Sequence, residues 1–236
     1  MNKDKPSDTK DEGKINKEKD MKEKGEAKVE QKEENVLCRK KSFKISDLRY
    51  VVLDPFTNIF GLVVSLLVLF LFPFKGVSTL MHDVLHLPGP GAGIAFPIGM
   101  VLVAFLLASY ALSKQELAPF WVAFLFGIIY NLLAPYAGGI PFAPFVNRFI
   151  AALLLGLGVS CMLYLLKGKA LEIKYFLTGA LGNLIYLSLF WVLVFPFGKG
   201  WVKPSAVPIL SILALCAGLA AALVPYLYAR SKRIVI

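Results

Sequence analysis

The chain has 236 residues, of which 57% are hydrophobic and 18% charged, with a formal net charge of +10. Soluble domains run at roughly 45–50% apolar and about 25% charged, so this composition excludes an ordinary soluble domain. Residues 1–50 hold 15 of the 26 Lys/Arg and 12 of the 16 Asp/Glu, which leaves a charged tail ahead of an apolar body.

Residues 1–37 lack any apolar periodicity and mix both signs of charge. Such a segment cannot bury enough apolar area to offset the entropy of ordering, so a disordered cytoplasmic tail is expected. A nucleic-acid arm would be more purely basic, and no nucleic-acid partner is expected. Residues 38–54 change character. Arg39, Lys40, Lys41, Lys44 and Arg49 interleave with Phe43, Ile45 and Leu48, as in a basic amphipathic segment lying on an anionic leaflet. The first long apolar run starts near Pro55, behind these charges, which is not the layout of a secretory signal peptide.

Crossing a hydrocarbon core of about 30 Å takes roughly 20 apolar residues in helix. Six runs qualify: about 55–74, 93–113, 116–136, 142–166, 173–196 and 205–229. They are continuous rather than alternating, so helices are expected and not a barrel. The fold class predicted is all-α, a polytopic six-transmembrane-helix bundle over residues 55–233, with the cell membrane as its location. Orientation follows from the loops. With the N-terminus inside, the inner connections and C-terminus carry Lys114, Lys167, Lys169, Lys174, Arg230, Lys232 and Arg233. The outer ones carry Lys75, Lys199 and Lys203. The positive-inside rule then places both termini in the cytoplasm.

Cys38, Cys161 and Cys216 form no CxxC pair and no zinc spacing. The two within apolar runs read as small, buried hydrophobic side chains. Signatures of hydrolases, kinases and P-loop enzymes are absent, so neither catalysis nor a cofactor is expected. Small residues four apart, such as Gly61 and Ser65 or Gly156 and Ser160, suit close helix packing.

Polar groups inside spans are costly and mark candidate sites. Tyr130, Asn131, Asn147, Arg148, Asn183, Tyr186 and Trp191 fall in the middle or outer parts of the later spans, which suggests a pocket open to the outer face. Arg148 is open to two roles: meeting an anionic or carbonyl group of a ligand, or snorkelling to headgroups and neighbouring carbonyls. The first outer loop carries both histidines, His82 and His86, with Asp83 between them, then Pro88, Gly89, Pro90 and Gly91. Imidazoles four apart share a helical face and can share a metal. No third ligand is evident, so a polar interfacial helix followed by an irregular hinge is the reading adopted, with no metal expected.

Six spans, both ends inside, a long first outer loop and polar groups in the outer halves form a layout that resembles the substrate-binding S component of energy-coupling-factor transporters. The stretch Gly89-Pro90-Gly91-Ala92-Gly93-Ile94-Ala95-Phe96-Pro97-Ile98-Gly99, leading to a span that ends at Ser113-Lys114, is similar to the second-span start of vitamin-precursor members. The resemblance implies a vitamin-like ligand bound from outside by Asn131, Asn147, Arg148, Asn183, Tyr186 and Trp191. It implies a lid formed by the loop holding His82, Asp83, His86, Pro88, Gly89, Pro90 and Gly91. It also implies contact through Gly61 and Ser65 with a transmembrane coupling subunit that works with two ATPases, the whole embedded in membrane lipid. The competing classes are a membrane scaffold or assembly protein and a metal-dependent membrane enzyme using the histidine loop.

Overall fold

A computed structural model of the chain describes residues 45–71, 92–133, 144–194, 196 and 204–234. The tail at 1–37 and the loop holding His82, Asp83, His86, Pro88, Gly89, Pro90 and Gly91 lie outside the described residues.

Asp54 separates the first two helices, α1 (Ile45–Leu53) and α2 (Pro55–Leu71). Its carboxylate accepts from the amides of Phe56 at 3.2 Å and Thr57 at 3.3 Å, and from the Thr57 hydroxyl. These groups have no partner within the first turn of a helix, so an Asp cap followed by Pro at the first helical position starts α2 efficiently. The buried face of α2 carries Thr57, Gly61, Val64, Ser65 and Val68, while Phe56, Ile59, Leu62, Val63, Leu67 and Phe70 face outward.

The second apolar run is not one regular helix. Ala92 and Gly93 lead into a wide helical turn, Ile94–Ile98, in which Phe96 is extended (φ −155°, ψ 122°) beside Pro97. Proline lacks the amide that a continuous helix requires, so the run breaks there and restarts as α3 (Gly99–Ser113). Lys114 ends α3 in the left-handed region (φ 57°), with its amide on the Tyr110 carbonyl at 2.8 Å. Four helices complete the chain: α4 (Ala118–Leu133), α5 (Phe145–Leu165), α6 (Leu171–Leu193) and, after a short turn at Pro204–Ala206, α7 (Val207–Ile234).

All seven helices described belong to an all-α fold organised around α3. It packs against α2, α4, α5, α6 and α7, whereas its neighbours run α2–α4–α5–α6–α7 in sequence around it. A helix apolar on every side suits a central position, and Leu102, Val103, Leu106 and Leu107 of α3 are buried to 1% exposure or less. α1 rests on α2 and α4 through Val51, which joins Leu117, Ala118 and Trp121.

Two helix pairs touch at the backbone. A Cβ on Gly179 of α6 would sit 2.4 Å from the Gly218 carbonyl oxygen, and one on Gly218 of α7 would sit 2.2 Å from that of Gly179. In the α4–α5 pair a Cβ on Gly156 would meet Ala123 Cβ at 2.4 Å. Glycine alone permits approach this close, and it lets α6 and α7 gain dispersion and weak Cα–H···O contacts. Ser160, one turn beyond Gly156, accepts from the Phe120 amide at 3.1 Å and so caps the start of α4 from across the interface.

Among the described residues, four helices are long and apolar enough to cross a membrane: Ile94–Ser113, Phe145–Leu165, Leu171–Leu193 and Pro204–Lys232. Two apolar helices are shorter, Pro55–Val68 and Ala118–Leu133. The outer faces carry Phe70, Leu132, Leu165, Val192, Ile212 and Val224, each at least 60% exposed. Water-soluble monomers do not present apolar surface all round, and the chain is a multi-pass helical membrane protein. Of the six expected spans, those at 55–74 and 116–136 correspond to the two shorter helices. Cys161 and Cys216, expected inside the bundle, are free and face outward.

Candidate functional site

Charge divides the bundle into two ends. Among the described side chains, Arg49, Asp54, Lys114, Glu116, Lys167, Lys169, Glu172, Lys174, Arg230 and Lys232 all lie where α2, α4 and α6 begin and α3, α5 and α7 finish. Arg148, in the first turn of α5, is the exception, and it lies at the other end.

A cavity of ≈ 30 Å³ opens around Arg148. α4 contributes Phe126, Gly127, Tyr130 and Asn131, while α5 adds Ala151 and Ala152 beside the arginine. Tyr186 and Phe190 come from α6, Val68 from α2, and Ile94 and Ile98 from the interrupted start of α3. The aromatic walls follow helical spacing. Phe126 stacks on Tyr130 with centroids 5.1 Å apart, and Tyr186 meets Phe190 edge-on at 5.8 Å. Each pair is four residues apart and therefore shares one helical face.

Asn131 is the most informative polar group here. It is 5% exposed, and its Nδ2 donates to the Gly127 carbonyl at 2.5 Å. That bond fixes which way the amide points. Among the described residues no donor reaches its Oδ1. Leaving a buried acceptor unmade costs about 1–3 kcal/mol, so a ligand or water that supplied a donor would recover that cost.

Four of the seven polar residues singled out from sequence, Tyr130, Asn131, Arg148 and Tyr186, therefore line one cavity. The other three do not. Asn147 donates through Nδ2 to the Leu193 carbonyl at 2.9 Å and ties the start of α5 to the end of α6. Asn183 is fully buried, and its Nδ2 donates to the carbonyls of Ala95 at 2.9 Å and Ala214 at 2.8 Å. The Gly99 amide, which would serve the Ala95 carbonyl in a regular helix, donates to the Ile94 carbonyl instead, and in a membrane interior a protein group must make up such a loss. Asn183 does so, acting as a brace between α6, α7 and the start of α3. Trp191 packs against the core away from the cavity. Gly61 and Ser65, expected to face a coupling subunit, are buried instead. Gly61 meets Leu125 of α4, and the Ser65 hydroxyl donates to the Gly61 carbonyl at 2.7 Å.

Sequence reasoning missed the wall residues Phe126 and Phe190, although each stands four positions from a tyrosine on the same face. It also missed a cluster at the charged end. Lys174, read as a loop charge, is only 7% exposed. Its ammonium donates to the Tyr110 hydroxyl and lies 4.4 Å from that ring's centroid. Nearby, the Tyr226 hydroxyl donates to Glu172 at 2.9 Å and accepts from Arg230 at 3.4 Å. Lys167 pairs with Glu116 at 2.9 Å, joining the α3–α4 and α5–α6 connections.

No protein family, curated protein or solved structure matches the chain.

Proposed function

We propose that this protein binds a small solute within the membrane, as the solute-binding subunit of a micronutrient uptake transporter. In this reading six helices cross, both termini are cytoplasmic, and the cavity faces outward. The observation that carries it is the meeting of Arg148, Asn131, Tyr130 and Tyr186 around one cavity inside a mainly apolar bundle. Polar groups at such depth are expensive and are the default functional candidates of a membrane protein. The orientation is supported by the basic side chains at the opposite end, which the positive-inside rule places in the cytoplasm.

Cavity size constrains the mechanism. A space of ≈ 30 Å³ holds about two waters, whereas drug-sized ligands occupy about 300 Å³ or more. A vitamin-sized solute therefore enters only when a wall moves. The wall best suited to move is the start of α3, where Ile94 and Ile98 ride on a segment already interrupted at Pro97. Uptake of this kind needs an energy source, supplied by a coupling subunit with two ATPases, while the chain itself binds the solute without catalysing a reaction.

The test is a screen of vitamins and their precursors for a rise in the unfolding temperature of the purified full-length chain. A ligand at a hundred times its Kd adds about 2.7 kcal/mol. Arg148→Ala should abolish the rise while the unliganded chain still unfolds cooperatively. Unaltered ligand binding in that variant would remove Arg148 from the site, and a screen without a single stabilising solute would end the solute-binding reading. Co-purification of ATPases from native membranes separates a transporter subunit from a scaffold.

A further inference from the structure

We infer that α1 is an interfacial anchor: its exposed face, Arg49, Tyr50 and Leu53, docks on the lipid leaflet at the charged end of the bundle and gathers anionic phospholipid there. The inference needs a chain that spans a membrane, and it is independent of what the cavity binds.

α1 is fastened to the bundle by its other side. Val51 is buried against Leu117, Ala118 and Trp121. The Asn58 amide donates to the Val52 carbonyl at 2.9 Å and its oxygen accepts from the Trp121 indole at 2.6 Å, so one side chain ties α1, α2 and α4 together. Residues three and four apart share a helical face, which puts Arg49 and Tyr50 beside Leu53. On that face Tyr50 is 72% exposed and Leu53 68%. A helix pinned this firmly, yet showing a tyrosine and a leucine outward among charges, presents a surface made to be covered.

The cover is lipid. Along the chain the exposed apolar side chains run on from Tyr50 and Leu53 through Phe56 and Ile59 of α2, the outward face that meets acyl chains, so the patch extends the bilayer contact of the bundle. It does so at the end where charged groups gather, the level of headgroups. A tyrosine suits that boundary, and an arginine beside it reaches phosphates while its stem stays on apolar surface.

Charge selects the kind of lipid. Lys114, exposed at the end of α3, precedes by three residues the Leu117 on which Val51 packs. The nearest acids in the chain are engaged: Asp54 caps α2, and Glu116 pairs with Lys167. Among the described residues no carboxylate pairs with Arg49 or Lys114. Residues 1–48, whose side chains are outside the described ones, hold 14 basic and 12 acidic groups, so on balance they add positive charge and do not cancel it. A membrane-side surface of this sign attracts anionic headgroups.

The test places a bimane fluorophore on Leu53→Cys in the full-length chain carrying Cys38→Ala, Cys161→Ala and Cys216→Ala, in vesicles of phosphatidylcholine and phosphatidylglycerol in equal amounts. Bromine on acyl chains quenches only in contact, so brominating one lipid at a time reports which lipid lies beside α1. Both should quench, and brominated phosphatidylglycerol at least about twofold more strongly, as basic side chains near a membrane surface enrich anionic lipid. Arg49→Gln together with Lys114→Gln should bring the two lipids to parity. Should that double variant not fold, the ratio in the parent decides. Equal quenching in the parent would overturn the inference. Quenching by aqueous acrylamide but by neither lipid would mean a solvated face, and quenching by none of the three a face covered by protein; either result would overturn it too.

Discussion

At the charged end of the bundle polar side chains answer one another: Lys174 meets Tyr110, Tyr226 meets Glu172 and Arg230, and Lys167 meets Glu116. In the half that holds the cavity, Asn131 Oδ1, Asn183 Oδ1 and Trp191 Nε1 are buried with no partner among the described residues, against Thr178 Oγ1 in the charged half. A satisfied network rigidifies, whereas unmet groups raise the free energy of the region that holds them. The contrast separates a half whose polar groups are mostly paired from a half in which more of them are unmet.

Four substitutions would break or sharpen that contrast. The largest effect is expected where the shared scaffold of both halves is at its closest. Gly218→Val places a side chain where even a Cβ lies 2.2 Å from the Gly179 carbonyl oxygen, so α6 and α7 must separate. A loss of about 3 kcal/mol or more is expected in unfolding experiments, at the upper end of overpacking costs. Next, Lys174→Met removes the buried ammonium that donates to the half-buried Tyr110 hydroxyl, and should cost about 1.5–3 kcal/mol by the same measurement, as for a hydrogen bond from a charged group. Asn131→Leu should differ by less than about 1 kcal/mol in either direction, because it removes an acceptor that is unmet without ligand. A large loss there would show that the cavity half is as finished as the other.

The smallest effect concerns pH. The hydrogen bond that Lys167 donates to Glu116 holds its ammonium above the usual lysine range. A raised folded value means the contribution is whole below the unfolded lysine pKa of about 10.4, and is lost as pH climbs through the folded value. Lys167 is 56% exposed, so screening leaves less than about 1 kcal/mol. Lys167→Met should flatten this alkaline decline in unfolding temperature, and an unchanged slope would mean the pair contributes nothing.

The helices were legible because hydropathy is additive along a run: 142–166 and 173–196 became Phe145–Leu165 and Leu171–Leu193 within a few residues. The interruption at Pro97 was harder to see. Apolar length says nothing of backbone continuity, and the expected span began at Gly93 as though Pro97 were ordinary. For the site, scarcity of polar groups in apolar runs singled out Tyr130, Asn131, Arg148 and Tyr186. The same rule could not distinguish them from Asn147 and Asn183, whose amides are occupied by carbonyls on other helices. Which carbonyl lies opposite an amide depends on helix crossing, and crossing depends on pairs such as Gly179 and Gly218 that are far apart in the chain. Lys174 escaped for a related reason, since its burial comes from Tyr110 of another helix.

The close crossings have a mechanical consequence. Gly156 and Ser160 fasten α4 to α5, and Gly179 and Gly218 fasten α6 to α7, which makes two stiff leaves. Tyr130, Asn131 and Arg148 ride on the first leaf, Tyr186 and Phe190 on the second. Where the leaves meet, at α5 and α6, spacing is looser: a Cβ on Gly158 would be 3.5 Å from Ile185 and one on Gly182 would be 3.2 Å from Val159. The cavity lies between the two pairs, and the bond from Asn147 to the Leu193 carbonyl ties them together at that end.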